Sequence, residues 1–263
     1  MKDYIPDVVW LNVSPAFVRF HQPLMQTLSR QYSLGCWEYV HEQDEASSLD
    51  HAIALLYHYL SSASAPVHLI GHSTSGALAL RFAQQYPEWV RSLTLLSVGV
   101  HPLIDWQAHY YANRQRLPCG REMLLAQMAR LMFGGWSRCA SQRLVALLDE
   151  DLKTALSPHS LYRIASDQAQ DLPLPLLVCR GEQDGIVTQH DFQQWQEIAA
   201  GSALAQRDPA SPSLWQSPQE GHFFHYFCPT QTADVIQQFW KSIDRTESAV
   251  GSLIDSNTQI QTR

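Results

Sequence analysis

The sequence predicts an α/β fold: a mostly parallel sheet flanked by helices, with a helical insertion carried above it. Three observations point there. Short apolar runs alternate with longer helix-like stretches, as in chains whose parallel strands are joined by crossover helices. Most of those runs are apolar at consecutive positions rather than at every second one, which suits strands buried on both faces. From His101 to about Gln170 the alternation stops, and helical patterns follow one another between two strands.

In chain order, strands are expected at Val8–Val13, Leu34–Tyr39, Val67–Ile70, Leu93–Val98 and Leu174–Cys179. Helices are expected between them at about Pro23–Gln31, Ser48–Ser61, Gly76–Tyr86 and Phe192–Ala199, and a last one near Thr232–Ile243 closes the fold. Within the insertion Arg121–Phe133, Ser141–Asp151 and Ser160–Ala169 read as helices, separated by Gly134-Gly135 and Ser157-Pro158. The expected organisation is one domain over residues 1–245, with the insertion at about 101–170. The polar stretch 246–263 is expected to be disordered.

Composition narrows the function classes. The chain has 263 residues, 45% hydrophobic and 16% charged, with a formal net charge of −7. It is too apolar and too weakly charged for intrinsic disorder. Net acidity without a basic face argues against a nucleic-acid partner. No apolar run approaches the roughly 18 residues of a membrane span, so no integral membrane association is expected. Met1-Lys2-Asp3-Tyr4-Ile5-Pro6-Asp7 does not lead into an apolar core of the secretory-signal kind. Cys36, Cys119, Cys139, Cys179 and Cys228 are odd in number and widely spaced. They read as reduced, buried thiols of a cytoplasmic protein. Nucleotide loops and zinc signatures are absent, so no cofactor or metal is expected.

The most specific segment is Val67-His68-Leu69-Ile70-Gly71-His72-Ser73-Thr74-Ser75-Gly76-Ala77-Leu78-Ala79. A buried strand runs into a tight turn, and small residues then open a helix. A serine at such a turn is lifted out at the strand's carboxyl end, beside the free N–H groups of the helix start. This segment resembles the nucleophile elbow G-x-S-x-G of the α/β-hydrolase family, with Ser73 at the nucleophile position. It departs at Ser75, where the second glycine is usual, and Gly76 comes one residue later.

Two further segments extend the resemblance over roughly Val8 to Ile243. The run Leu174 to Val187 is a buried strand ending in a Gly/Asp turn, and it looks like the family's acid segment with Asp184 at the acid position. Gln219-Glu220-Gly221-His222-Phe223-Phe224 places a Gly-His pair before the final helix, as the family's histidine segment does. The order Ser, Asp, His is also the family's. The resemblance therefore implies a serine hydrolase of the esterase/lipase-like branch with a helical cap, acting on a small-molecule ester-like substrate. Catalytic roles fall on Ser73, Asp184 and His222, with Asp105 the alternative acid.

Backbone N–H of Thr74 is implied as one oxyanion donor. The family's usual His-Gly mark of the second donor is missing from Leu11-Asn12-Val13-Ser14-Pro15-Ala16. Pro15 has no N–H, which leaves Ser14 or Ala16, with the Asn12 amide and the Ser14 hydroxyl as substitutes. Trp106 and Tyr110, in a cluster with His109 and Tyr111, are expected either to pack the helices or to face substrate. The stretch Met123–Met132 fits an amphipathic helix that packs a core or lines an apolar pocket. His225 and His72 are expected to pack beside the site. Thioester, amide and carbon–carbon hydrolysis, a lyase reaction, and non-catalytic ligand or partner binding all remain open on this fold.

Overall fold

The computed structural model describes residues 5–40, 48–101, 105–134, 138–156, 172, 174–201, 214–218 and 220–260. Among these, β1 (Val8–Asn12), β2 (Leu34–Glu38), β3 (Val67–His72), β4 (Val90–Leu96), β5 (Leu176–Gly181) and β6 (Leu214–Ser217) form one sheet. Its order is β2-β1-β3-β4-β5-β6, and every pairing is parallel. The chain leaves β1 toward one edge and returns to β3 on β1's other side. That reversal opens a crevice beyond the carboxyl ends of β1 and β3, where ligands bind in open parallel sheets.

Helices cover both faces, as the doubly apolar strands require. Val9, Leu11, Leu69, Leu93, Leu95 and Val178 share a core with α2 (Leu49–Leu60), α3 (Thr74–Gln85) and α7 (Gln189–Gly201). The alternate residues Val8, Trp10, Ile70, Leu96, Leu177 and Cys179 pack with α1 (Val18–Leu28) and α9 (Pro229–Ile260) on the other side. Each of these fully buried side chains contributes about 1.5–3 kcal/mol of transfer free energy. Between β4 and β5 lie α4 (Trp106–Arg116), α5 (Arg121–Phe133) and α6 (Arg138–Thr154). They form a third apolar cluster, which also takes in Phe17, Phe20, Ile186 and Phe223 near the sheet's carboxyl end.

Several expectations shift. Helix α1 begins at Val18 rather than Pro23, because a 3₁₀ turn at Pro15–Phe17 feeds straight into it. Pro23 is carried inside the helix, where it has no N–H to give the preceding turn. Strand β6 was not expected; Leu-Trp-Gln-Ser is too short and too polar to stand out. Helix α9 runs on to Ile260 through the stretch expected to be disordered. Ala249, Val250, Leu253 and Ile254 do recur there at helical spacing. Among the described side chains Cys36, Cys119, Cys179 and Cys228 are free but not uniformly buried: Cys36, on the edge strand β2, is exposed, and Cys119 and Cys228 are half-buried. The helix expected at 160–169 lies outside the described residues.

A close backbone contact joins β3 to α3. A Cβ on Gly71 would stand 2.6 Å from Gly76 Cα, and one on Gly76 would stand 2.3 Å from Val98 Cγ2 and 2.8 Å from Gly71 O. Glycine to alanine inside a helix ordinarily gains roughly 1 kcal/mol. Gly76→Ala should do the reverse, because overpacking costs about 1–3 kcal/mol, and thermal unfolding should show a loss of several degrees. An unchanged or raised melting temperature would contradict this close approach.

Candidate active site

Ser73 occupies the turn between β3 and α3 with φ 51° and ψ −124°. A positive φ costs a side-chain-bearing residue about 1–3 kcal/mol. The turn is held by Ser73 N–H donating to Leu96 O at 3.0 Å, while Gly76 and Ala77 N–H return to Ser73 O. The Thr74 amide follows at the start of α3, where intrahelical acceptors are lacking.

His222 sits behind this turn, buried on all sides. Its Nδ1 lies 3.0 and 3.1 Å from the two oxygens of Asp184. Asp184 Oδ1 also accepts from the amides of Ile186 and Val187 at 2.8 and 3.0 Å. Burial by itself would raise this carboxyl. The His222 charge, its hydrogen bond and the two amides outweigh that and hold Asp184 below the usual carboxylate range. The His222 carbonyl accepts from Ser97 Oγ at 2.9 Å and from His72 Nε2 at 3.0 Å. Ser97 directly follows β4 and is the second serine with φ 51°. Gly181 brings the acid and histidine loops together, since a Cβ there would stand 2.2 Å from Glu220 O.

Ser73, His222, Ser14, Ser75, Phe17, His21, His72, Trp106, Met132 and Phe223 line one small cavity. It has about 10 Å³ of room for water centres, enough for roughly one molecule. Ser73 Oγ and His222 Nε2 are both buried and without a hydrogen-bond partner among the described residues. The serine–imidazole hydrogen bond is thus not formed in this closed arrangement.

The other expected residues separate. Trp106 reaches the cavity, but Tyr110 does not line it. Tyr110 is buried among the insertion helices, its hydroxyl accepting from Arg114 at 3.2 Å and Arg121 at 3.5 Å. Met132 lines the cavity, whereas Met123 is exposed. Asp105 caps α4, accepting from Gln107 and Ala108 N–H at 2.7 and 3.1 Å, and takes a very short hydrogen bond from the Thr74 hydroxyl. Ser14 borders the cavity, with its amide donating to Asn12 Oδ1 at 3.3 Å. Ser75 is not an idle substitute for glycine: its Oγ accepts from Val13 N–H at 3.0 Å and ties the loop after β1 to the elbow.

Four residues of consequence were missed or undervalued. His21, His72 and His225 form a buried group with His222: His21 Nδ1 is 3.0 Å from His225 Nε2, and ring centroids stand 4.7–5.3 Å apart. Burial holds all three neutral, His21 down to about 3. No cluster of three or more His, Cys, Asp or Glu among the described residues is arranged to hold a metal ion. Asp151, on α6, is buried with Oδ2 accepting from Trp106 Nε1 at 3.0 Å and Gln107 Nε2 at 3.3 Å. His72 and His225 are signalled by standing beside Ser73 and His222 in the chain, whereas nothing local in the sequence marks His21 or Asp151.

Similarity to known proteins agrees with this architecture. The family model described as the α/β-hydrolase fold matches residues 62–135. An uncharacterised protein of Synechocystis sp. is 42% identical over 242 residues, covering 92% of this chain and 93% of the relative. A thermophilic esterase structure superposes with a TM-score of 0.65 at 15% identity, covering 91% of both chains. A carboxylesterase of the thaumarchaeon Nitrososphaera gargenis gives a TM-score of 0.64 at 14% identity, again over 91% of each. The chain belongs to the α/β-hydrolase superfamily. No helix among the described residues is long and apolar enough to cross a membrane.

Asp151 yields a pH-dependent prediction. Burial raises its carboxyl to about 7, with Gln107 and Trp106 pulling it down and Asp105 pushing it up. The unfolded chain releases this proton near ~3.9. The folded state therefore gains from this group at low pH and loses that gain as pH rises through 7. Asp151→Asn, which stays neutral, should gain on the wild type by several degrees of melting temperature between pH 5 and pH 8. A difference independent of pH would mean that the carboxyl is not held protonated.

Proposed function

We propose that the protein is a serine hydrolase that cleaves a carboxylic ester of a small or moderately apolar substrate through an acyl-enzyme on Ser73. One observation carries the reading: His222, paired with the buried Asp184, borders the same cavity as a serine held at positive φ.

A serine hydroxyl is a weak nucleophile near neutrality and needs a base beside it. His222 Nε2 takes the Ser73 proton as Oγ attacks the ester carbon. It then gives that proton to the departing alkoxide, leaving the acyl group on Ser73. Water, activated by the same nitrogen, releases the carboxylic acid and restores Ser73. Asp184 fixes the ring with Nδ1–H toward itself and stabilises the imidazolium without taking the proton. The Thr74 amide donates to the developing oxyanion, and Ser14 borders the same cavity as Ser73. The α4–α6 insertion acts as a cap, with Trp106 and Met132 as apolar walls. The chemistry requires no cofactor, and the four cysteines free among the described residues suit a reducing, cytoplasmic setting.

The same triad could serve thioesters or carbon–carbon bonds. A second reading, non-catalytic ligand binding, is favoured by the missing Ser73–His222 hydrogen bond and the water-sized cavity. A fluorophosphonate probe separates the two: the wild type should be labelled at Ser73, and Ser73→Ala should not. A folded wild type that resists the probe supports binding without catalysis. Asp184→Asn should lower turnover of a short p-nitrophenyl ester by about 10⁴, and Asp105→Asn far less. The opposite ranking would move the acid role to Asp105.

A further inference from the structure

Acylation at Ser73 needs a second oxyanion donor opposite the Thr74 amide, and the loop after β1 has little to offer. Val13 N–H is taken by Ser75 Oγ at 3.0 Å and Ser14 N–H by Asn12 Oδ1 at 3.3 Å. Pro15 has none. The cavity has another polar wall, His21 on α1. With room for about one water, an oxygen placed in this space meets the His21 ring as well as Ser73 and His222.

The hydrogen-bond pattern decides which His21 nitrogen carries the proton. His21 Nδ1 and His225 Nε2 are 3.0 Å apart, so one of them donates to the other. His225 Nδ1 is buried and without a hydrogen-bond partner among the described residues. Either tautomer leaves one N–H without a protein partner: on His225 Nδ1, which is sealed in, or on His21, which lines the cavity where an oxygen can accept it. His225 therefore keeps its proton on Nε2 and donates to His21 Nδ1. Neutral His21 then carries its own proton on Nε2, the nitrogen that His225 does not engage.

We propose that His21 Nε2–H is the second oxyanion donor, facing the tetrahedral oxygen from α1 in place of a backbone amide of the β1–α1 loop. The inference rests on the Ser73 acylation reading above. Burial, and then the charge on His222, keep His21 uncharged down to about pH 3. It therefore donates without opposing the imidazolium that forms on His222. A neutral imidazole can polarise a carbonyl in this way when its surroundings suppress protonation. The neighbouring His72 and His225, likewise held neutral by burial, add no competing charge.

The test is saturation inactivation by a fluorophosphonate, with wild type, His21→Phe and His21→Gln compared as folded proteins. His21→Phe should lower the maximal inactivation rate on the order of 10²–10³, the cost of one oxyanion donor, with the half-saturating concentration little changed. His21→Gln, which restores a side-chain N–H, should recover at least part of that loss. A folded His21→Phe that inactivates like the wild type, or a Gln variant no better than Phe, overturns the proposal and returns the role to the loop backbone. A wild type that is not labelled at Ser73 fails earlier and overturns the acylation reading together with it. Should His21→Phe not fold, the ¹⁵N–¹H spectrum of the wild-type imidazoles decides. The Nε2–H tautomer at His21 is expected, and the Nδ1–H tautomer overturns the assignment.

Discussion

The close crossing of α3 over β3 at Gly71 and Gly76 is the contact on which the rest of the site depends. A side chain at either position would meet backbone or Val98 at 2.3–2.8 Å. With both absent, the helix starts immediately at the strand's end, and the one connecting residue, Ser73, must take a positive φ. That strain, about 1–3 kcal/mol, is borne by a strand that pairs on both sides and is buried along its whole length. The same compactness brings Ser75 against Val13, so the loop after β1 is fastened to the elbow by a hydroxyl that glycine lacks. Geometry at Ser73 and geometry of the loop after β1 are consequently one constraint.

His222 is positioned by its backbone more than by its ring. Ser97 and His72 both donate to its carbonyl, and Gly181 allows the strand leading to Asp184 to press against the loop that carries it. The ring is left with a single strong partner, Asp184. Around it, His21, His72 and His225 offer directional N–H and lone-pair groups without charge. In a low-dielectric interior a second buried cation beside His222 would cost several kcal/mol. A polar but neutral lining leaves Asp184 as the partner of the His222 ring without adding a competing charge.

Legibility in the sequence followed the length scale of each signal. Strands β1, β3 and β5 and the residues Ser73, Asp184 and His222 stand in contiguous segments whose local pattern carries both the turn and the side chain. Ser75 was visible only as a departure from a motif, because its role depends on Val13, 62 residues away. His21 was hidden by a boundary: starting α1 at Pro23 leaves His21 in a loop, whereas starting it at Val18 buries His21 on the helix face toward the site. Asp105 looked like an alternative acid, yet an Asp just before a helical run is also an N-cap, and that reading describes its contacts. Asp151 sits in an ordinary amphipathic pattern, so its burial arises wholly from how α6 meets α4.

The apolar content of the insertion has its own consequence. Phe17, Trp106, Met132 and Phe223 close over Ser73 so tightly that the space beside it holds about 10 Å³ of water-centre volume, enough for one water. On the ester reading proposed above, the substrate needs room for its carbonyl and two flanking carbons, so these four side chains would part before it reached Ser73. They are held by apolar contacts among themselves, with Phe17 edge-on to both Trp106 and Phe223 at centroid distances of 6.1 and 5.4 Å. Such contacts are short-ranged and non-directional, and a substrate of similar apolar surface can replace them with little net loss of burial. The hydrogen bonds that fix Asp184, His222 and the elbow come from β3, β4 and β5 and the loops behind them. Opening the apolar roof therefore need not disturb the polar machinery beneath it.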